Sequence, residues 1–400
     1  MALEVVRKYK YNFQNIKLYL DSGGEGENAL STRDAMIGIV LSFRPTMHIP
    51  DNMTRLKKLY RHMMAKRQGV PVLDNVVSTD QVKELKPTAS SSWLLIITAE
   101  KKLDLNEAYF ILVEPLDVES AQKFLIDCSP RLKPRAREIA KLCRGLPLAL
   151  EMCGHFLSSK MKMHPEDFVN LFRKHQNNSF LEKTDANEES MLAAFKAIYN
   201  SLKDKEQTVF NQLAVFPASF EAIASSQICE ENGNCLKSFS QFGLVKTHPI
   251  TKRYILHDWV KNQLKNYLPE TIAREAKLRH ATCYLPILNT ARENISKGGQ
   301  KAREGFQLFH REWANIQAGL NRVSKNSVEG KKAAELFNSY MVAGAELLPL
   351  HYFPKECRSF LETGLKVSQR LRQKNIEALH LLNLGMFHSS QKNMRRQRNV

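Results

Sequence analysis

Val70-Pro71-Val72-Leu73-Asp74-Asn75 and Trp93-Leu94-Leu95-Ile96-Ile97-Thr98 are two apolar runs of strand length, separated by a stretch, 79–85, that suits a short helix. Continuous apolar runs joined by a helix predict parallel strands buried on both faces and covered by helices. Upstream, 16–20 is a further short strand, and 31–43 and 51–67 are helices, the first with Ser31 placed to cap its own first turn. In the second helix Leu56, Leu59 and Tyr60 share a face with Met63 and Met64 close to it, and residues 2–9 suit another helix. Pro71 is the discordant residue, because it cannot donate to a ladder. Gly23-Gly24-Glu25-Gly26 reads as an acidic surface loop that follows its strand.

Downstream of Asp117 the strands stop. Ile139, Leu142, Cys143 and Leu146 repeat at helical spacing, as do Ala149, Met152, Cys153 and Phe156, and Gly145 and Pro147 break the pattern between them. From about Leu202 a compact stretch shows a helix through Phe210 and Leu213, a second around 236–239, and a hairpin over 244–256 turning at His248-Pro249-Ile250-Thr251. Helices closed by a hairpin describe a winged helix. Beyond Pro269 everything is amphipathic helix, and Ala378, Leu381, Leu384 and Gly385 open a tetratricopeptide-like helix pair. Such a repeat takes about 34 residues, so it runs out of chain before its second helix is complete. The basic tail 394–400 is expected to fray.

Four hundred residues exceed one ordinary core, so the length predicts several domains. The composition, 43% hydrophobic and 25% charged, is that of globular protein, and no apolar run approaches the roughly 18 residues of a membrane span. The first ten residues alternate apolar and basic without a leader pattern, which predicts a cytoplasmic protein. Seven cysteines without paired spacings read as reduced packing residues rather than disulfides or a zinc site. The net charge of +18 is the one bulk number that points to a phosphate-bearing partner, yet much of it lies in helices such as 55–67 and 358–374, spaced as solvated faces.

Asp74 ends an apolar strand at the carboxyl edge, where open α/β sheets bind ligands and a carboxylate can hold Mg²⁺ through water; a plain turn would use the same residues. Thr98 ends the next strand. After it stand Ala99 and Glu100 rather than an Arg able to read a γ-phosphate, although Lys101 or Lys102 could partly substitute. The phosphate-cradling string G-x-x-x-x-G-K-[ST] occurs nowhere in these 400 residues.

Taken in order, Val72-Leu73-Asp74-Asn75, Ile96-Ile97-Thr98, Gly145-Leu146-Pro147-Leu148-Ala149-Leu150 and Leu256-His257-Asp258 resemble the Walker B, sensor, GLPL and MHD motifs of NB-ARC proteins, a branch of the STAND signalling ATPases. Trp313, Asn315 and Ile316 resemble a stretch these proteins carry after their winged helix. The resemblance covers roughly 2–325 and implies a multi-domain α/β plus α protein, truncated before its P-loop. Its parts would be a partial nucleotide-binding domain with a P-loop-NTPase-type parallel sheet over 1–116, a helical domain with the GLPL motif over 117–200, a winged helix over 201–268, and incomplete tetratricopeptide-like helices over 269–400.

The resemblance also implies roles. Asp74 would be the Mg²⁺-associated acid, weakly catalytic if at all, and Thr98 the remaining sensor position. Gly145, Pro147 and Leu148 would form the adenine or sugar side of an ADP/ATP site, and His257 would touch the β-phosphate of ADP. Each has a plainer reading: Pro147 as a helix kink, His257 as a helix-start residue beside a capping Asp258, and Trp313 and Ile316 as core. The implied function is a nucleotide-dependent signalling switch that acts through protein partners on its helical repeats, with self-association as a further option and nucleotide affinity weak or lost.

Two rivals stand beside it. One is a DNA-binding transcriptional regulator reading through Lys237, Ser238, Ser240 and Gln241, with Lys246, Lys252 and Arg253 on the wing; such a short polar set is thin for nucleic acid. The other is an intact ATPase whose amino-terminal part is missing from this sequence.

Overall fold

In the computed structural model the three apolar runs lie side by side. The structure describes residues 8, 16–22, 31–44, 47, 49–50, 52–65, 69–86, 94–98, 103–105, 108–177, 185–328, 330–352 and 354–398. The helix expected over 2–9, apart from Lys8, and the loop 23–26 lie outside them, as do Trp93 and 99–102. The chain divides into two units, one of Met1–Ala108 with Ala281–Val400 and one of Tyr109–His280.

In the first unit β1 (Ile16–Asp21), β2 (Gly69–Asp74) and β3 (Leu95–Ile96) form a parallel sheet in the order β1-β2-β3. Register places Tyr19 opposite Val72 and Asp21 opposite Asp74, while β3 pairs only with Val72 and Leu73. This short pairing explains Pro71. Leu73 accepts from the Ile97 N–H at 2.8 Å, so the alternate residue Pro71 turns its nitrogen toward the same side, where β3 has not yet begun. The ring therefore removes no ladder bond.

Helices α1 (Thr32–Phe43) and α2 (Met53–Ala65) cover the sheet, and α3 (Thr79–Val82) runs into a 3₁₀ turn at Lys83–Leu85. Ser31 caps α1, its Oγ accepting the Asp34 N–H at 3.1 Å. Met36, Ile37 and Val40 of α1 meet Leu56, Tyr60 and Met64 of α2 and Leu73, Val76 and Leu85 in one core. The Tyr60 hydroxyl, carried into that core, donates to the Leu85 carbonyl at 2.7 Å, which satisfies its one buried polar atom.

The second unit is helical from α4 (Val118–Cys128) through α5 (Ala136–Leu142), α6 (Pro147–Ser159), α7 (Pro165–Asn177) and α8 (Ala186–Tyr199). The C-terminal end of α6 is closed by one side chain. Arg131 donates to the carbonyls of Met161 (2.9 Å), Lys160 (3.0 Å), Met163 (3.1 Å) and Leu157, serving acceptors at and just past the helix end. Then follow α9 (Asp204–Gln212), α10 (Ala222–Cys229), α11 (Asn234–Gln241), an antiparallel hairpin of β4 (Lys246–Thr247) and β5 (Tyr254–Ile255), and α12 (Asp258–Tyr267). Phe220 bridges to Tyr254 beside the hairpin.

Helix α13 (Glu270–Ser296) leads to α14 (Gly299–Asn326), α15 (Lys331–Gly344), α16 (Pro354–Arg370) and α17 (Lys374–Arg398). In the first unit α14 packs on α15, α15 on α16 and α16 on α17, and the Tyr340 hydroxyl of α15 donates to the Ala281 carbonyl of α13 at 2.8 Å. Trp313, Asn315 and Ile316 of α14 are buried. Trp313 stacks on His351 with centroids 4.1 Å apart, and His351 Nε2 lies 3.2 Å from His310 Nδ1. From α1 the Arg33 guanidinium donates to the His351 carbonyl, joining the α/β part to the helical array.

Burial, and then the neighbouring His310 and Arg33 charges, hold the His351 pKa well below its ordinary 6.5. In the unfolded chain the ring titrates near 6.5. Above that pH both states are neutral there; as pH falls, the unfolded state binds a proton the folded state refuses, and stability is lost. Urea unfolding of this unit, followed by tryptophan fluorescence, should weaken by up to about 1.4 kcal/mol per pH unit from this residue between about pH 6.5 and 5. His351→Gln should reduce the slope without abolishing it, because burial lowers the His380 pKa as well.

Candidate functional site

The carboxyl edge of the first unit's sheet gathers the strand-end residues. Asp74 closes β2 half-buried, and its chain then turns through Asn75 at φ 56, a left-handed conformation that asparagine tolerates. Asp74 Oδ1 accepts the Asn75 N–H at 2.9 Å, and Oδ2 accepts the Tyr19 hydroxyl. Tyr19 reaches it because strand register sets Tyr19 opposite Val72, two residues and one pleat from Asp74. Thr98 follows β3, and its Oγ1 donates to the Val76 carbonyl at 2.6 Å while Val76 N–H donates to the Ile97 carbonyl at 3.1 Å. The two strand ends are thus laced together, Asp74 and Thr98 at one edge.

In the second unit the Gly145-to-Leu150 stretch is a turn followed by a helix start. Arg144 and Gly145 both have positive φ, 52 and 68. A methyl group on Gly145 would overlap the Leu116 carbonyl oxygen, and the Leu116 N–H donates to the Gly145 carbonyl at 2.9 Å, so only glycine fits. Pro147 is the first residue of α6, exposed, at a position whose N–H has no helical partner to lose. Leu148 beside it is half-buried, and Ala149 and Leu150 are in the core.

His257 caps α12 itself: its Nδ1 accepts the Trp259 N–H at 3.2 Å, and its carbonyl accepts the Lys261 N–H at 2.9 Å. With Nδ1 an acceptor, the neutral ring carries its proton on Nε2, the polarity that suits an anion. Asp258, which sequence pattern favours as the cap, pairs instead with Lys261 Nζ at 2.9 Å.

Helix α11 and the hairpin are packed onto α6. Ser159 Oγ donates to the Gln241 carbonyl at 2.8 Å, Phe242 meets Phe156 edge-on at 5.4 Å, and Lys246 of β4 pairs with Glu151 at 2.7 Å. Arg253, buried, donates to Ser219 and pairs with Glu221 at 3.3 Å. These partners were not readable from the sequence. Neither was Tyr19 on Asp74, since each depends on register or docking between segments far apart in the chain. Among the described residues no group of three His, Cys, Asp or Glu side chains is placed to hold a metal ion.

A solved structure of a Signal Transduction ATPase with Numerous Domains (STAND) protein with a tetratricopeptide repeat sensor, from Pyrococcus horikoshii, matches this fold with a TM-score of 0.50. The match covers 96% of this chain and 59% of that one at 15% identity. The chain has a STAND-type fold. Among curated relatives, regulatory protein AfsR of Streptomyces coelicolor is 21% identical over 273 residues, 65% of this chain and 27% of the relative. Disease resistance protein UNI of Arabidopsis thaliana is 36% identical over 98 residues, 24% of this chain and 10% of the relative. The matched region thus spans about a quarter of the one relative and a tenth of the other. No family model matches the chain. No helix among the described residues is long and apolar enough to cross a membrane.

Gly145→Ala should destabilise the second unit by roughly 2–4 kcal/mol, because it adds a steric overlap with backbone to a disfavoured φ. Thermal unfolding followed by circular dichroism checks this; Pro147→Ala, at an exposed first-turn position, should shift the midpoint by far less.

Proposed function

We propose that the chain is a regulatory module of a STAND-type switch, acting through protein partners on its helical array, with its hold on ADP or ATP weak or lost. The observation that carries this reading is the occupation of Asp74. Both carboxylate oxygens, the groups that would orient water around Mg²⁺, are engaged by the Tyr19 hydroxyl and the Asn75 N–H. Two donors already on the carboxylate weaken its hold on Mg²⁺-bound water without using all of its lone pairs, and the 400 residues contain no phosphate-cradling string and carry Ala99-Glu100 rather than an Arg after Thr98. Moving a two-state equilibrium from 1:99 to 99:1 takes about 5.5 kcal/mol of differential binding, and phosphate contacts are the natural source of it.

In this reading 1–116 is the partial nucleotide-binding domain, 117–200 the helical domain, 201–268 a winged helix and 269–400 the docking array. Gly145, Pro147 and Leu148 would retain the adenine-side contour, and His257 would point a ring N–H toward a β-phosphate if one were present. The winged helix is an internal packing module. Its α11 and β4 are spent on α6, and of the wing cations Lys246 and Arg253 are ion-paired within the unit, which argues against groove reading of DNA.

Isothermal titration of the full chain with Mg²⁺ and ADP should give millimolar affinity or weaker. Micromolar or tighter binding overturns the proposal, as does ATP turnover above an Asp74→Ala control.

A further inference from the structure

Strands β1 and β2 run parallel with Tyr19 opposite Val72 and Leu20 opposite Leu73. Leu20 and Leu73 join the core formed with α1 and α2, so strand alternation sets Tyr19, Val72 and Asp74 on the other face of the sheet. There the Tyr19 hydroxyl donates to Asp74 Oδ2. The two donors on Asp74 differ in origin. The Asn75 N–H on Oδ1, at 2.9 Å, belongs to the next residue and comes with the turn, whereas the hydroxyl on Oδ2 comes from a neighbouring strand, 55 residues away in the chain. Every residue but proline carries the first donor; the second depends on the phenol at position 19.

A water molecule on a divalent cation reaches a strand-end carboxylate by donating a proton to one of its oxygens, and the Tyr19 hydroxyl makes the same bond from the protein side. The two donors compete for Oδ2. The Tyr19 ring is 44% exposed, so it can swing off Asp74 without emptying a core. Apparent cation affinity then falls by the fraction of molecules in which Oδ2 is uncovered. For a hydrogen bond of ordinary net strength that fraction corresponds to a factor of about two to ten. Thr98 at the same edge is also turned inward, its Oγ1 donating to the Val76 carbonyl at 2.6 Å.

We propose that Tyr19 is a specificity-determining residue of this sheet edge: its hydroxyl is a displaceable stand-in for the water of a divalent cation, and removing it opens a cation site at Asp74. This role for Tyr19 rests on the reading of Asp74 as the Mg²⁺-associated acid. Its test uses a cation without nucleotide, so the two can fail separately.

The full chain and its Tyr19→Phe, Tyr19→Leu, Asp74→Asn and Tyr19→Phe/Asp74→Asn variants are titrated with Mn²⁺, the free ion being followed by electron paramagnetic resonance. Phenylalanine keeps the ring and removes the donor, and an unchanged circular dichroism spectrum and melting midpoint check that each variant is folded. Tyr19→Phe should bind Mn²⁺ about three- to tenfold more tightly than the unsubstituted chain, and Tyr19→Leu should show the same gain. Asp74→Asn should abolish it. Equal affinity in the unsubstituted chain and Tyr19→Phe, a gain that persists when Asp74 is replaced, or absence of saturable binding by Tyr19→Phe overturns the proposal. So does a gain in Tyr19→Leu without one in Tyr19→Phe, which assigns the obstruction to the ring rather than to its hydroxyl. Tight ADP binding by the unsubstituted chain would sink the nucleotide-weak reading and leave the Mn²⁺ comparison to decide the role of Tyr19.

Discussion

The close backbone contact of Gly145 with Leu116 organises the second unit. At φ 68 and with no room for a side chain, Gly145 lets two backbone segments touch, and its carbonyl accepts the Leu116 N–H at 2.9 Å while its own N–H donates to the Ala140 carbonyl at 3.2 Å. That single crossing sets where Asp117 begins α4 and where Pro147 begins α6. Because α6 then receives Phe242, Lys246 and Gln241, the position of the hairpin inherits the same constraint. A turn that only glycine can make is rigid by exclusion: any other residue would have to move two chains at once.

Part of the basic charge is spent inside the units. Arg131 closes α6, Arg253 holds Ser219 and Glu221, and Arg279 donates to the Ile228 carbonyl at 2.6 Å and to Gln212 at 3.1 Å. In the other unit Arg33 serves the His351 carbonyl and Arg370 those of Ser327 and Val328. Guanidinium groups suit this work because they present several donors in a fixed plane and stay charged when half-buried. A surplus of cations read from composition is therefore a poor guide to a polyanionic partner when the carbonyls of helix ends and loops compete for the same donors.

The local elements were legible. The parallel strands, the Ser31 cap, the break between α5 and α6 and the hairpin after α11 follow from apolar periodicity and from Gly and Pro placement, properties of neighbouring residues. The apparent anomaly, Pro71, dissolved only when β3 proved too short to reach it. Asp258 looked like the cap of α12, yet His257 takes that role, because the ring Nδ1 lies within reach of the Trp259 N–H and Lys261 draws the carboxylate away.

By itself the sequence determined the three apolar strands and the helices between them, the strand-end placement of Asp74, the glycine turn before Pro147 and the absence of a phosphate-cradling string within these residues. Only the tertiary structure decided which polar atoms are already engaged: Tyr19 on Asp74, Glu151 on Lys246, Arg33 on the His351 carbonyl. The reason is one of range. Periodicity and turn chemistry act over a few residues, whereas the partner of a buried or half-buried polar group is chosen by register and docking between segments 55 to 318 residues apart, about which local sequence carries almost no signal.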